Sequence, residues 1–270
     1  MFQRTAQILE HVPLAERTFR IRLACPEIAA AIRPGQFVMV RLPGRSDPLL
    51  ARPFAFYDVT PDASAFDVVY LVIGKMTTLL AEERIGNVLE VWGPLGQPFL
   101  DIGEPEQATC VAGGIGQTPF LAYAKELLGL QGYGNLPARK RAGQVSLYYG
   151  VRTAALAAGV ADFQSNGVDV HLTSDDGSLG TRGYVTQLLD QHKRAGPWIG
   201  CGPEPMLHAL AKLAAKRDVP CQVSLETPMA CGIGACYSCV AKVRTADNGW
   251  DYKRVCLDGP AFDSKQLAWD

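Results

Sequence analysis

Four cysteines constrain this chain more than any other feature. Cys231-Gly232-Ile233-Gly234-Ala235-Cys236-Tyr237-Ser238-Cys239 has the spacing C-x4-C-x2-C, and Cys256 follows at a distance. Thiolates at this spacing hold the sulfide-bridged irons of a plant-type [2Fe–2S] cluster. The small residues between them let a loop fold tightly and turn its N–H groups toward the sulfurs. A structural zinc site would normally present two C-x2–4-C pairs, and here Cys256 stands alone. A [4Fe–4S] site would prefer C-x2-C-x2-C. Cys25, Cys110 and Cys221 sit in or beside apolar runs and read as small core residues.

Around this loop the chain changes rhythm twice. From residue 2 to about 101 it carries short apolar or alternating runs at 18–23, 36–42, 54–59, 66–73 and 88–92, with one helical stretch at 77–84. Short strands with turn signals between them predict an antiparallel barrel or sandwich. From about 107 to 227, strand candidates at 108–112, 145–149, 168–173, 198–201 and 221–225 alternate with helical stretches at 119–128, 184–193 and 204–217. That alternation predicts a parallel sheet covered on both faces. The polar, glycine-rich segment 129–143 is the expected place for flexibility or family-specific insertion. Residues 226 to 270 are dense in glycine and cysteine, with little room for a core of their own.

Two glycine-rich junctions stand where open α/β sheets bind ligands, at strand carboxyl ends. Gly113-Gly114-Ile115-Gly116 precedes Pro119 and a helix, a turn whose amides can approach a pyrophosphate. It is not a strict G-x-G-x-x-G, because Pro119 replaces the last glycine. Cys201-Gly202-Pro203-Glu204-Pro205-Met206 ends another strand. In the first stretch Arg52-Pro53-Phe54-Ala55 is either a surface arginine before an ordinary strand or a guanidinium fork for a cofactor's phosphates. The four histidines show no metal-ligand spacing, and no Ser/His/Asp set or Walker loop appears.

Composition removes other classes. Basic residues number 26 and acidic ones 27, so nothing favours nucleic acid or an anionic membrane surface. With 48% hydrophobic residues the chain can build ordinary cores, which excludes wholesale disorder. The N-terminus has no signal-like apolar run, and no apolar stretch is long enough for a membrane span. The expectation is a soluble cytoplasmic protein.

Taken in order, these motifs resemble the ferredoxin–NADP reductase superfamily, and most of all the branch formed by electron-transfer subunits of NAD-dependent dihydroorotate dehydrogenases. Arg52-Pro53-Phe54-Ala55 is similar to the flavin motif Arg-Pro-x-Ser. Tyr70-Leu71-Val72 and Gly74-Lys75-Met76-Thr77 resemble a second flavin segment, Tyr-Arg-Val/Ile followed by Gly-x-Gly-Thr. Three residues depart from the pattern: Ala55 lacks the motif hydroxyl, Leu71 replaces an arginine, and Met76 replaces a glycine and is expected to crowd the FAD loop.

The resemblance implies a multi-domain α+β and α/β fold in three parts. These are a six-stranded antiparallel FAD-binding β-barrel (1–101), a Rossmann-like parallel NAD-binding domain (102–225) and a small C-terminal [2Fe–2S] module (226–270). It implies FAD on Arg52, Pro53, Phe54, Ala55, Tyr70, Leu71, Val72, Met76 and Thr77. It implies NAD on Gly113, Gly114, Ile115, Gly116, Gly202, Pro203 and Met206, with Cys201 near flavin and nicotinamide. The cluster falls to Cys231, Cys236, Cys239 and Cys256. All of the chain is then allocated, so dihydroorotate oxidation needs a separate FMN-containing catalytic subunit, with two of each chain assembled. A cluster edge near Tyr237 or Phe262 is the expected docking surface. The alternatives are a diaphorase subunit of a hydrogenase, sulfide dehydrogenase or transhydrogenase and, more distantly, a zinc-stapled binding module without enzymatic activity.

Overall fold

The computed structural model describes residues 1–247 and 249–269. The first stretch closes into a barrel of β1 (Phe2–Ala15), β2 (Thr18–Ala24), β3 (Phe37–Arg41), β4 (Arg52–Val59), β5 (Ala65–Leu71) and β6 (Val88–Leu95), in the order β1-β2-β5-β4-β3-β6. Every pairing in it is antiparallel. Alternation points one face of each strand inward. Ile8, Ile21, Leu23, Val38, Val40, Phe56, Phe66, Val68, Leu89 and Val91 fill the interior. Two short helices plug its ends, α1 (Pro26–Ala31) and α2 (Lys75–Glu82). The second was expected two residues later. The first was not expected: six residues opened by a proline are too few to show helical periodicity.

The second stretch forms a sheet in the order β10-β9-β8-β7-β11-β12, to which a last strand from the C-terminal stretch is added beside β12. Its strands are β7 (Gln107–Gly113), β8 (Gln144–Val151), β9 (Asp169–Ser174), β10 (Thr181–Arg182), β11 (Trp198–Cys201) and β12 (Cys221–Ser224), all parallel. The helices α3 (Phe120–Leu128), α4 (Val160–Ser165), α5 (Val185–His192) and α6 (Glu204–Arg217) cover it. The parallel register carries the ends of β7, β8, β11 and β12 to one edge, so Gly113, Val151, Cys201 and Ser224 lie along it.

The last stretch adds the hairpin β13 (Val240–Arg244) and β14 (Trp250–Arg254), a one-turn helix α7 (Val255–Asp258), and β15 (Ala261–Asp263). β15 pairs antiparallel with β12, so the chain returns to the edge of the large sheet. The cysteine-rich segment also borrows a core. Cys239, Val255, Cys256, Phe262 and Leu267 pack in one cluster with Phe37, Met39 and Leu95 of the barrel and Leu207 and Leu210 of α6.

Barrel and sheet are joined by paired polar groups. The Lys125 ammonium on α3 and the Tyr133 hydroxyl both donate to Asp58 on β4, each at 2.7 Å, and the Tyr57 hydroxyl donates to Asp162 on α4 at 2.7 Å. Burial beside these carboxylates raises both tyrosines well above the ordinary phenol value, so they remain donors. Tyr133 belongs to the 129–143 segment expected to be flexible. Instead Tyr133 is buried, and the Gln131 amide donates to the Val59 carbonyl at 2.9 Å, which fastens the segment to the barrel.

Candidate functional site

The cysteine loop is shaped by two left-handed glycines, Gly232 (φ 73°) and Gly234 (φ 82°). A Cβ at Gly232 would lie 2.6 Å from Met39 Cγ on the barrel wall, so only glycine lets the loop sit there. The Trp92 indole N–H on β6 donates to the Cys231 carbonyl at 3.2 Å, and the Arg254 guanidinium to the Gly234 carbonyl at 2.8 Å. The Val255 N–H donates to the Cys239 carbonyl at 2.7 Å, which brings α7 and Cys256 alongside.

Among the described residues, no three His, Cys, Asp or Glu side chains converge on a single point. The thiols of Cys231 and Cys236 lie near each other, and Cys256 lies near Cys239 and within electrostatic reach of Cys231. Two thiolates per metal is what a two-iron cluster requires. The Ser238 hydroxyl and N–H hold Cys236 down to about 6, ready to ligate, whereas burial and the neighbouring Cys239 push Cys256 up to about 12. A buried thiol pair ionises together only with cationic charge between the sulfurs, which iron supplies. The residues therefore fit a [2Fe–2S] cluster. The surrounding surface carries exposed Ile233, Tyr237 and Leu257, with Tyr237 63% accessible and the Arg254 guanidinium 4.9 Å from its ring centroid. Phe262, expected at an exposed edge, is only 6% accessible, because β15 buries it against the sheet.

The two glycine-rich turns meet at the sheet edge. A Cβ on Gly116 would fall 2.2 Å from the Cys201 carbonyl oxygen, and one on Gly202 (φ 149°) 2.9 Å from Gly113 N. A Cβ on Gly113 would meet Met206 Sδ at 2.7 Å and Pro203 Cδ at 2.8 Å. These glycines let the turns after β7 and β11 pack together. Gly114 alone of the four has an open face, with φ 54° and no atom within 4 Å of a built Cβ. Cys201 lies beside Ser224 and Glu226, and burial pushes its thiol up to about 12, so it stays protonated. Ser224 and Glu226 were not picked out by sequence. Their only signal is the Ser-Leu-Glu run at the end of β12.

On the barrel, the flavin-type residues divide by strand alternation. Tyr70 and Met76 are buried in the interior cluster, and Phe54 and Val72 pack against it while staying partly accessible. Met76 is buried there and does not crowd the loop. The Tyr70 hydroxyl donates to His11 Nε2 at 2.8 Å, while His11 Nδ1–H donates to the Glu83 carbonyl at 2.9 Å. Pro53, Ala55 and Leu71 take the alternate positions, on the same side as Val69, which packs with Ala112 and Leu121 of the sheet domain. Arg52 is exposed and donates to the Leu50 and Ala51 carbonyls. The Thr77 hydroxyl accepts from the Ile73 and Gly74 amides and donates to the Gly74 carbonyl, so it is fully engaged in starting α2. The N–H groups in the first turn of a helix lack intrahelical acceptors and can donate to an anion.

Comparison with known proteins matches two segments of the chain. Residues 226–268 match the iron–sulfur cluster binding domain of dihydroorotate dehydrogenase B, and residues 7–99 match an oxidoreductase FAD-binding domain. The dihydroorotate dehydrogenase B (NAD(+)) electron transfer subunit of Desulforamulus reducens is 33% identical over 269 residues, 98% of both chains. That of Bacillus caldolyticus is 36% identical over 257 residues, 94% of both chains. A solved chain of the NADH-dependent reduced ferredoxin–NADP oxidoreductase, studied for flavin-based electron bifurcation, superposes with TM-score 0.82 at 28% identity, covering 98% of this chain and 90% of that one. The ferredoxin reductase of carbazole 1,9a-dioxygenase shares the fold at TM-score 0.66 and 20% identity, over 81% of this chain and 67% of that one. With this identity over nearly its whole length, the chain belongs to the family of dihydroorotate dehydrogenase B (NAD(+)) electron transfer subunits.

Proposed function

We propose that this chain carries electrons from a partner dehydrogenase that oxidises dihydroorotate, through a [2Fe–2S] cluster and FAD, to NAD. The net change is balanced: dihydroorotate loses two electrons and two protons to become orotate, NAD takes a hydride, and one proton is released. When bound, FAD supplies the exchange between single electrons on the iron side and a hydride on the nicotinamide side. The single observation that carries the reading is the C-x4-C-x2-C loop braced against the barrel wall at Met39, with Cys256 brought alongside by the Val255 N–H bond to the Cys239 carbonyl at 2.7 Å.

The parts are assigned as follows. Residues 1–101 are the FAD domain, 102–225 the NAD domain and 226–270 the cluster module. Arg52, Pro53, Ala55, Leu71 and the amides of Lys75 to Thr77 face FAD. Gly114 gives NAD its open approach, with Gly113, Ile115, Gly116, Gly202, Pro203 and Met206 shaping the two turns. Cys201, neutral and half-buried between Ser224 and Glu226, lies where nicotinamide would meet flavin. Ile233, Tyr237 and Leu257 form an apolar rim through which an FMN-containing catalytic subunit docks, with two of each chain in the assembly. Among the described residues no helix is long and apolar enough to cross a membrane. The cytoplasm is the proposed location.

A second reading has one specific support, the TM-score of 0.82 to the NADH-dependent reduced ferredoxin–NADP oxidoreductase chain. In it the same cofactors serve another redox complex. Reconstitution separates the two: purified chain, a dihydroorotate dehydrogenase catalytic subunit, dihydroorotate and NAD are combined. Dihydroorotate-dependent NADH formation, lost on omitting either chain, supports the first reading. Diaphorase activity without such coupling transfers the assignment to the second.

A further inference from the structure

Lys75 opens α2, shortly after Leu71, inside the Gly74-Lys75-Met76-Thr77 segment that resembles a flavin motif. Its ammonium pairs with the Asp47 carboxylate, which stands on the loop between β3 and β4. Both side chains face water, 60% and 72% accessible, so the pair is weakly held and open to exchange. Two guanidiniums border the same segments, and both are bonded to backbone: Arg17 to the Val72 carbonyl, and Arg52 to the Leu50 and Ala51 carbonyls. Lys75 is bonded to an anion. Exposed apolar residues flank the pair in sequence, Ile73 on one side and Leu49 and Leu50 on the other.

An ammonium binds carboxylate and phosphate oxygens by the same charge-assisted bond, and a diphosphate, carrying more charge, draws it more strongly than one carboxylate. The start of α2 adds the positive end of a helix. Leu71, where the resemblance expects an arginine, contributes no charge. We propose that the Lys75 ammonium exchanges Asp47 for the diphosphate of FAD and so supplies the cation missing at position 71. Asp47 is then a competitor for Lys75, not a ligand of the cofactor. The inference rests on the FAD reading above.

The test measures FAD dissociation constants by fluorescence titration of apoprotein at low and high salt. Lys75→Met should weaken FAD about tenfold at low salt and flatten its salt dependence, because one cation facing the phosphates is gone. Lys75→Arg keeps the charge and should restore most of the affinity. Asp47→Asn removes the competitor and should tighten FAD about threefold. Arg45→Met takes another cation from the same loop and should change the affinity by less than about twofold. Lys75→Met that binds FAD as the wild type does overturns the proposal. Equal weakening by Lys75→Met and Arg45→Met overturns it too, since that would be a general positive field. Asp47→Asn that weakens FAD overturns the exchange and makes the carboxylate a support for Lys75. Should a variant not fold, a crystal structure of the FAD-loaded wild type decides. Lys75 Nζ in hydrogen-bond contact with a phosphate oxygen supports the proposal, and Lys75 still held by Asp47 overturns it. Wild-type protein that takes up no FAD defeats the proposed function itself, whereas FAD-loaded protein indifferent to Lys75 defeats only this inference.

Discussion

Replacing Gly116 by alanine tests how the two nucleotide-side turns are built. The new Cβ would stand 2.2 Å from the Cys201 carbonyl oxygen, 2.5 Å from its carbon and 2.7 Å from Gly202 N. All three are backbone atoms, so no side chain can rotate away and the turns after β7 and β11 must separate. Overpacking of this kind costs about 3 kcal/mol, the upper end for one inserted methyl. In a chain of this size that lowers the melting temperature by about 6–12 °C. Gly114→Ala is the control. Its Cβ meets nothing, so the cost is the left-handed backbone alone, about 1 kcal/mol or about 2–4 °C. The functional effects should run the other way. Gly114→Ala places a methyl on the open face and raises KM for NADH with a nearly native melt, whereas Gly116→Ala loses stability first. Scanning calorimetry and NADH-dependent reduction of an artificial acceptor measure both. A Gly116→Ala protein melting within 2 °C of wild type, or below which Gly114→Ala melts, would refute the packing argument.

Other perturbations follow from the same structure. Asp58→Ala strands the Lys125 ammonium and the Tyr133 hydroxyl at the barrel–sheet junction, and urea melts should show a loss of about 2–4 kcal/mol; a loss under 1 kcal/mol would mean the pair does not join the domains. Cys201 and Cys221 are raised from 9.0 to about 12 by burial. The unfolded chain therefore releases thiol protons that the folded one keeps, and stability should be level below about pH 9 and fall as pH rises toward about 12. Equal urea midpoints at pH 8 and pH 10.5 would contradict this. Ala55→Ser restores a hydroxyl on the outer face of β4 and should tighten FAD about fivefold, the effect of one net hydrogen bond of about 1 kcal/mol. Titration of apoprotein by flavin fluorescence checks it, and unchanged affinity would show that position 55 does not face the cofactor.

What the sequence made legible was whatever short spacing or punctuation encodes. The C-x4-C-x2-C run named its cluster before any geometry, and the turn signals between short apolar runs marked the barrel strands. Features made by distant segments were not legible. Gly113 and Gly116 read as a phosphate cradle and Gly202 as part of a second ligand loop, but their need for glycine comes from each other's turns, some 85 residues apart in the chain. β15 is three residues long and is a strand only because β12 accepts it, which also buries Phe262. The helix Val160–Ser165 escaped for the same reason as Pro26–Ala31: six residues carry no period. The 129–143 segment is polar in composition, and only Tyr133 reaching Asp58 explains why it packs. Gln117 sits within the glycine motif, and its burial is a property of the fold that no spacing encodes.

The central claim is that one chain links nicotinamide to iron–sulfur through flavin. The most direct measurement is the visible spectrum of anaerobically purified protein before and after NADH. The account predicts flavin bands over a broad cluster absorption, with about two irons per chain, both bleaching when NADH is added. Cluster absorption without flavin, or flavin that NADH reduces while the cluster stays oxidised at every ratio, would contradict it.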